Sequence, residues 1–396
     1  MVSRIWAGTD CGKTHHHCLV MDDEGRVLLS RRVANDEPEI LRVIGDVLAL
    51  ADGDTVMWSM DMTGGEPGLL IALLLNHGQE LVYLPGIAVN RASDSYCGAG
   101  KTDARDAWVI ADQARMRRDL QPVRLGDDAS IELRLLTDWR ADLVAERTRT
   151  TNRLRALLTS MFPALERALD LRVRGCLVLL AGYQEPAAIR RLGAKRLATW
   201  LRNRKVRNAE ALAAKVVEAA ESQHTAVAGE QAIARMVGTL VGELVSLNEK
   251  VAEVEGRIEE RFRAHELAEI IESMPGIGAV LGAEFLAAVD GSLDAFATPD
   301  RLAAFAGVTP APRDSGKISG NLHRPKRYHR GLQRVFYASA LFSIQRDPNS
   351  RAFYDRKRAE GKRHVQAVLA LARRRVNVLW ALLRDRRCYT VAAPAT

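Results

Sequence analysis

Short apolar runs and helical stripes alternate along the first 125 residues. Residues 4–10, 15–21 and 26–33 read as strands, with a turn at Asp22-Asp23-Glu24-Gly25 between the last two, which predicts a three-strand antiparallel meander. Ile40, Val43, Ile44, Val47 and Leu48 recur at helical spacing within residues 37–51. A strand over 55–61, a helix over 68–77 and a strand over 80–84 follow. A further helical pattern then runs from Asp103 through Trp108, Ile110, Ala111 and Ala114. The order βββ-α-β-α-β-α predicts an α/β domain over residues 1–125.

After Pro122 the pattern becomes helical throughout. Leu133, Leu136, Leu143, Leu154, Leu157 and Met161 share a stripe within residues 130–161. Ile233, Val237, Leu240, Leu244, Leu247, Val251, Val254 and Ile258 alternate in steps of four and three, the heptad register of a coiled coil. The two helices pair antiparallel as an arm or meet a second subunit; a long amphipathic helix on a globular core has the same pattern. Between them, residues 163–230 form an extra helical lobe. The expected division is an α/β domain (1–125), a coiled-coil arm with a helical insertion (126–265) and a mostly helical C-terminal domain (266–396).

Composition sharpens this picture in two places. The chain of 396 residues is 47% hydrophobic and 27% charged, as expected of a globular protein of two to three domains. It has neither an apolar signal core nor an apolar run of the ~18 residues a membrane helix needs, which predicts a cytoplasmic protein without a membrane partner. Five cysteines (Cys11, Cys18, Cys97, Cys176, Cys388) include no CxxC pair and read as free thiols. The net charge of +8 is unevenly placed. Residues 310–390 hold 20 Lys/Arg against 5 Asp/Glu, a net of +15 that leaves −7 for the rest. A basic block on a mildly acidic body is the footprint of a nucleic-acid partner.

Three segments extend that expectation. Residues 190–207 carry eight Lys/Arg and no acid, among them Arg190, Arg191, Lys195, Arg202, Arg204 and Lys205, with Trp200 interleaved. Such a strip suits a phosphate backbone, with the indole available to stack on an unpaired base; a solvated helix face is the plain alternative. At Pro275-Gly276-Ile277-Gly278 two glycines precede a helix, where exposed backbone N–H groups can hold a phosphate, although a simple helix-helix turn reads the same. Beyond Pro310, the loop Arg313-Asp314-Ser315-Gly316-Lys317-Ile318-Ser319-Gly320 places two Ser-Gly pairs among cations, with Arg324, Lys326 and Arg327 close behind.

The candidate chemistry is acidic. Asp103 is placed to cap the helix that begins after Gly100-Lys101-Thr102, and Asp106 shares its face one turn on. Asp10 and Asp61 each end a strand, where ligands gather in α/β sheets. Four carboxylates make an all-oxygen cage suited to Mg²⁺, and two such ions can clamp an in-line phosphoryl displacement. An acidic first turn on a capped helix is the plainer reading. In His15-His16-His17, strand alternation leaves only His15 and His17 on one side, which argues against a metal site there.

Together the parts resemble the DEDD-type insertion-sequence transposases, the IS one-hundred-and-ten family with its Piv-like invertases. The carrying residues are Gly8-Thr9-Asp10, Asp61-Met62-Thr63-Gly64, Lys101-Thr102-Asp103-Ala104-Arg105-Asp106, Pro275-Gly276-Ile277-Gly278, and Pro310 followed by Ser315-Gly316. The resemblance covers nearly the whole chain and implies an RNase H/RuvC-like domain, a coiled coil and a C-terminal transposase domain. It implies Asp10, Asp61, Asp103 and Asp106 as Mg²⁺ ligands and Ser315 as a nucleophile on DNA. It further implies a bridge RNA as guide, a dimer or tetramer in which both domains of different subunits meet at one site, and a bacterial, nucleoid-associated location. One position departs from the pattern: the second acid is usually Glu and here is Asp61, one methylene shorter. A serine hydroxyl attacking a phosphodiester conserves bond energy, so strand exchange needs no ATP, but the hydroxyl must be activated. Ser319 stands in a context much like that of Ser315, and only the family spacing after Pro310 separates them. Two other readings remain: a RuvC-type nuclease that resolves branched DNA by water attack, and a non-catalytic nucleic-acid scaffold.

Overall fold

The meander expected at the start of the chain forms as β1 (Arg4–Asp10), β2 (His15–Met21) and β3 (Val27–Ala34), in a computed structural model that describes residues 4–62, 65–96, 100, 102–123, 128–316 and 319–390. The Asp22 carboxylate closes the turn before β3 by accepting from the Glu24 and Arg26 amides at 3.0 and 2.9 Å. Then come α1 (Glu37–Ala51), β4 (Thr55–Met60), α2 (Gly68–Asn76), β5 (Glu80–Tyr83), α3 (Gly86–Ser93), α4 (Asp103–Met116) and β6 (Gln121–Pro122). Helix α1 starts where Asp36 accepts from the Glu39 amide and Pro38 supplies a preset φ.

The sheet order is β3-β2-β1-β4-β5-β6, with β1, β4 and β5 parallel to one another and β2, β3 and β6 antiparallel to their neighbours on the β1 side. Alternation along β1 sorts its two faces. Ile5 and Ala7 join one core with Ile40, Val43, Ile44 and Val47 of α1 and Leu70 and Leu74 of α2. Trp6 on the opposite face joins Ala107, Ala111 and Ala114 of α4. Gly8 lies on that second face, where a Cβ would overlap the Ala107 carbonyl and the Ala111 amide and stand 2.8 Å from Ala111 Cβ. A bare backbone at residue 8, met by alanines on α4, lets helix and strand approach to backbone contact.

The chain divides into two units, residues 1–126 and 127–396. The second is almost wholly helical. Helix α5 (Asp128–Met161) leads into a lobe of α6 (Pro163–Ala168), α7 (Arg174–Gly182), α8 (Pro186–Asn203) and α9 (Ala209–Glu221), and α10 (Glu230–Arg263) returns. Ion pairs and hydrogen bonds join Glu132 to Arg261, Arg140 to Glu255 and Arg147 to Asn248, so α5 and α10 run antiparallel within one chain. Their apolar stripes meet as expected, with Val237, Leu244, Val251, Val254 and Ile258 all buried. Leu158 joins Leu154 and Met161 inside, whereas Leu157 is only partly buried.

Two cores form along this pair. At one end Leu154, Leu158, Met161, Val237 and Val241 pack with the lobe. At the other, Leu133, Leu136, Val254, Ile258 and Phe262 pack with the last helices: α11 (Ala268–Ser273), α12 (Ala279–Ala288), α13 (Pro299–Phe305), α14 (Arg330–Arg346), α15 (Pro348–Ala359) and α16 (His364–Arg384). One core therefore runs across residue 265, where the sequence pattern suggests a division. Between α13 and α14 the Ser-Gly loop closes as a hairpin of β7 (Ala311–Pro312) and β8 (Leu322–His323), strands too short to leave a periodic signal.

If the contact at Gly8 positions α4, Gly8→Ala should destabilise the protein by about 1–3 kcal/mol through overpacking, read as a drop of several degrees in a thermal melt. A variant that melts with the wild type would show that α4 does not depend on the bare backbone.

Candidate functional site

Register places the acidic residues. In the parallel pair of β1 and β4, Thr9 stands opposite Met60, so Asp10 and Asp61, each next along its strand, lie side by side at the same edge of the sheet. Helix α4 runs antiparallel to β1: Ala107 and Ala111 meet Gly8, and Arg115, near the helix's far end, reaches the Asp23 carbonyl at 3.1 Å. The first turn, with Asp103 and Asp106, is therefore directed toward the edge where Asp10 and Asp61 stand.

Thr102, not Asp103, caps this helix: its hydroxyl accepts from the Arg105 amide at 3.2 Å, and Asp103 is the first helical residue. With Thr102 as the cap, the Asp103 carboxylate has no backbone duty at the helix start and is exposed. Asp61 is half-buried, and burial, with the charge of Asp106 adding to it, pushes its pKa above the ordinary value of 3.8. Its Oδ1 is buried with no hydrogen-bond partner among the described residues, while Oδ2 faces Gly86 at the start of α3. Burial, followed by the charges of Asp61, Asp10 and Glu66, holds the Cys11 thiol firmly protonated. Burial lowers the pKa of His17, which faces Asp10 across β1 and β2, while the charge of Asp103 opposes that shift. His16 points the other way and is buried, in keeping with alternation along the strand.

Sequence reasoning missed two acids. Glu66 contributes to the field at Cys11 together with Asp10 and Asp61; standing two residues before α2, it reads in sequence as an ordinary complement to a helix N-terminus. Asp112 is buried on α4, where it accepts from the Tyr96 hydroxyl at 2.5 Å and pairs with Arg115 at 2.6 Å. Arg105 also donates to the Tyr96 carbonyl at 3.2 Å. Tyr96 is thus held to α4 through both its hydroxyl and its carbonyl. Thr63, Gly64, Cys97 and Lys101 lie outside the described residues.

These acids suit a divalent cation in kind. They are hard oxygen donors, one of them a buried carboxylate oxygen with no donor among the described residues, at the strand edge where other carboxylates gather. They do not form a closed shell, because no three acidic, histidine or cysteine side chains among the described residues stand close enough to hold one ion.

In the second unit, Ser315 is exposed near the tip of the β7–β8 hairpin. The hairpin is held by Arg313 N to Asn321 O (2.8 Å) and by Asn321 N to Asp314 Oδ1 (2.9 Å). Arg313, Arg324, Lys326 and Arg327 are exposed around it, with Arg324 donating to the Tyr328 hydroxyl at 2.9 Å; Ser319 is likewise exposed, and Lys317 lies outside the described residues.

Tertiary contacts divide the strip over residues 190–207. Helix α8 breaks at Gly193, where φ is +71°. Arg190 turns inward and donates to the Ala220 carbonyl (2.9 Å) and to the Gln223 carbonyl, so it secures the end of α9 rather than facing a ligand. Arg202 pairs with Glu210, and Arg204 lies 3.8 Å above the Trp200 ring. That ring also packs edge-on against Tyr183 and over Gly182, which leaves it unsuited to stack on a base. Arg191, Lys195 and Lys205 remain exposed.

Gly276 likewise has a packing role. At φ +82° it faces α14, where a Cβ would stand 2.6 Å from the Ser339 carbonyl and 2.9 Å from the Ser343 amide. The buried Arg375 secures the crossing by donating to Ser339 Oγ and to the Pro275 carbonyl, and burial depresses its pKa to about 10. Gly278, exposed at the start of α12, keeps the open helix N-terminus.

Known proteins resemble the chain along nearly its whole length. Residues 7–163 match a transposase family model of DEDD type, and residues 268–355 match the model described as Transposase IS116/IS110/IS902 family. The uncharacterized 42 kDa protein of insertion element IS900 from Mycobacterium paratuberculosis is 55% identical over 98% of each chain. The 44.8 kDa protein of IS116 from Streptomyces clavuligerus is 51% identical over 99% of this chain and 98% of its own. The 43.6 kDa protein of IS110 from Streptomyces coelicolor is 38% identical over 99% and 96%. With both family models matched in order and identity this high across whole chains, the protein belongs to the IS116/IS110/IS902 family of insertion-sequence transposases.

Proposed function

We propose that this transposase cleaves and exchanges DNA strands through a serine–DNA covalent intermediate, with Asp10, Asp61, Asp103 and Asp106 of a RuvC-like first unit holding Mg²⁺ and Ser315 as nucleophile. The observation that carries the metal assignment is the half-buried Asp61 carboxylate, set beside other acids with Oδ1 lacking a hydrogen-bond partner among the described residues, an arrangement that burial and repulsion oppose unless a cation joins it. Glu66 is a further carboxylate within reach of the same field. Bound there, Mg²⁺ would supply charge stabilisation for phosphoryl transfer.

The remaining chemistry belongs to the chain's own residues. Loss of the Ser315 hydroxyl proton to a base accompanies formation of the Oγ–P bond and rupture of the P–O bond to the deoxyribose, which leaves with the electron pair. Attack by an incoming deoxyribose hydroxyl reverses the step and reseals the strand at no net cost in phosphodiester bonds. Arg313, exposed two residues before Ser315, and Arg324, exposed at the base of the hairpin, are the cations available to offset phosphate charge. The family resemblance supports guidance by a bridge RNA and assembly as a dimer or tetramer, and the basic C-terminal block supports a nucleic-acid partner. No helix among the described residues is long and apolar enough to cross a membrane.

Ser315→Ala should fold and bind DNA normally yet form no protein–DNA adduct, with recombination below roughly a thousandth of wild type. Denaturing electrophoresis of labelled DNA, with peptide mapping of any shifted band, reads this; Ser319→Ala is the control. An adduct at Ser319 would move the nucleophile, and free cleaved ends without any adduct would favour water attack.

Asp61 also predicts a stability signature. Its folded pKa lies above 3.8, so the stability associated with the protonated form is present below 3.8 and lost as pH rises through the raised value. Without divalent cation at pH 7, Asp61→Asn should therefore melt higher than wild type, and the gap should narrow toward pH 3.8. Added Mg²⁺ should raise the wild-type melting temperature more than the variant's, while the variant loses recombination. A variant that melts lower than wild type at pH 7, or that recombines normally, would remove Asp61 from the metal set.

A further inference from the structure

The helical lobe between the two stretches matched by the family models contains a cleft of about 460 Å³. Its floor is apolar, built from Val173, Cys176, Val206 and Leu212. Gly175 adds bare backbone, and a Cβ there would stand 2.7 Å from Val206 Cγ1. Arg174, Lys205, Arg207 and Lys215, all exposed, stand around it, and no acidic residue lines it.

These four cations differ from the neighbouring strip. Arg190, Arg202 and Arg204 are engaged by carbonyls, Glu210 and Trp200, whereas the four at the cleft form no ion pair with any described residue. Lys205 and Asn208 both adopt left-handed backbone, at φ 58° and 56°. Such strain persists only where the surroundings fix it, and here it shapes the turn that carries Lys205 and Arg207. Helices α7 and α9 both begin at the cleft, with no side-chain cap on either, so their free N–H groups add to the positive potential.

An anion alone would satisfy the rim but not the floor. A duplex presents phosphates while its bases stay stacked inside. A ligand that meets both demands has phosphates flanking a flat apolar group small enough for a cleft of this size, which is an unstacked nucleotide. We propose that the cleft binds an unpaired nucleotide of a single-stranded nucleic acid, its base on the Val173–Val206–Leu212 floor and the flanking phosphates on Arg174, Lys205, Arg207 and Lys215. This rests on the reading that the chain acts on nucleic acid.

The test uses the full chain and a short fluorescein-labelled single strand with a central 2-aminopurine, as RNA and as DNA, together with the matching duplex. Binding is read without divalent cation and without recombination. A chain that fails to recombine but passes therefore keeps the cleft, and one that recombines while ignoring the substitutions loses only the cleft. Removing two phosphate contacts with Arg207→Ala/Lys215→Ala should weaken single-strand binding roughly tenfold and flatten its salt slope by about 1.4. Ala211→Trp, on the exposed edge of the cleft, keeps the charges and fills the space; it should preserve the salt slope but abolish the rise in aminopurine emission on binding. Thermal melts matching wild type establish that both variants fold. Tighter RNA binding would assign the cleft to a guide RNA, tighter DNA binding to a displaced DNA strand. Unchanged single-strand affinity and slope in the double variant, or an intact aminopurine signal in Ala211→Trp, would overturn the proposal.

Discussion

Everything at the acidic edge of the first unit depends on how closely α4 lies on β1. Side chains normally hold a helix and a sheet apart, but at Gly8 the strand meets the Ala107 carbonyl and the Ala111 amide with no Cβ between them. That contact sets the height of the helix, and the antiparallel direction of α4 determines which end of β1 its first turn approaches. Asp103 and Asp106 are directed toward the strand ends of Asp10 and Asp61 because the residues one turn further on are small. Packing of the kind that stabilises cores here gathers like charges, which no core would do for stability alone.

Local devices support that placement. Thr102 caps the helix so that neither aspartate is consumed by the backbone. Tyr96, Asp112 and Arg115 tie the preceding segment to the middle of α4 through a largely buried hydrogen-bond network. Asp61 shows the cost of this placement, since burial, with the charge of Asp106 adding to it, pushes its carboxyl toward the protonated form.

The second unit sorts its cations by a related rule. Helices α5 and α10 form a long antiparallel pair whose two ends belong to different cores, so the lobe and the C-terminal helices share a rigid spine. Within the lobe, three of the eight cations of the basic strip are used internally: Arg190 closes a helix end, Arg202 finds Glu210 and Arg204 covers an indole. Two of the others, Lys205 and Arg207, stand with Arg174 and Lys215 around a cleft with an apolar floor. Arg375 is the opposite case, a guanidinium taken fully inside to hold the Gly276 crossing.

Periodicity in the sequence determined most of the elements. The βββ-α-β-α-β-α order, to which the fold adds α3 and β6, the paired long helices and the buried heptad residues from Val237 to Ile258 follow from which positions must leave water, and that is written along the chain. Asp10 and Asp61 were legible as strand-end acids for the same reason. What the sequence could not express is any property that depends on a partner distant along the chain. Gly276 reads as a turn or phosphate-binding glycine and Gly8 as an ordinary strand position, yet both are small because another helix backbone must pass. Thr102 and Asp103 are both good capping residues, and only the backbone geometry chose between them. The β7–β8 hairpin was hidden because each strand is two residues long, too short for alternation to register. In the strip over residues 190–207 the charge count was legible, but not which of its cations the rest of the lobe engages. Identical arginines become structural or available according to whether a carbonyl, a carboxylate or a ring stands within reach, and only the fold decides that.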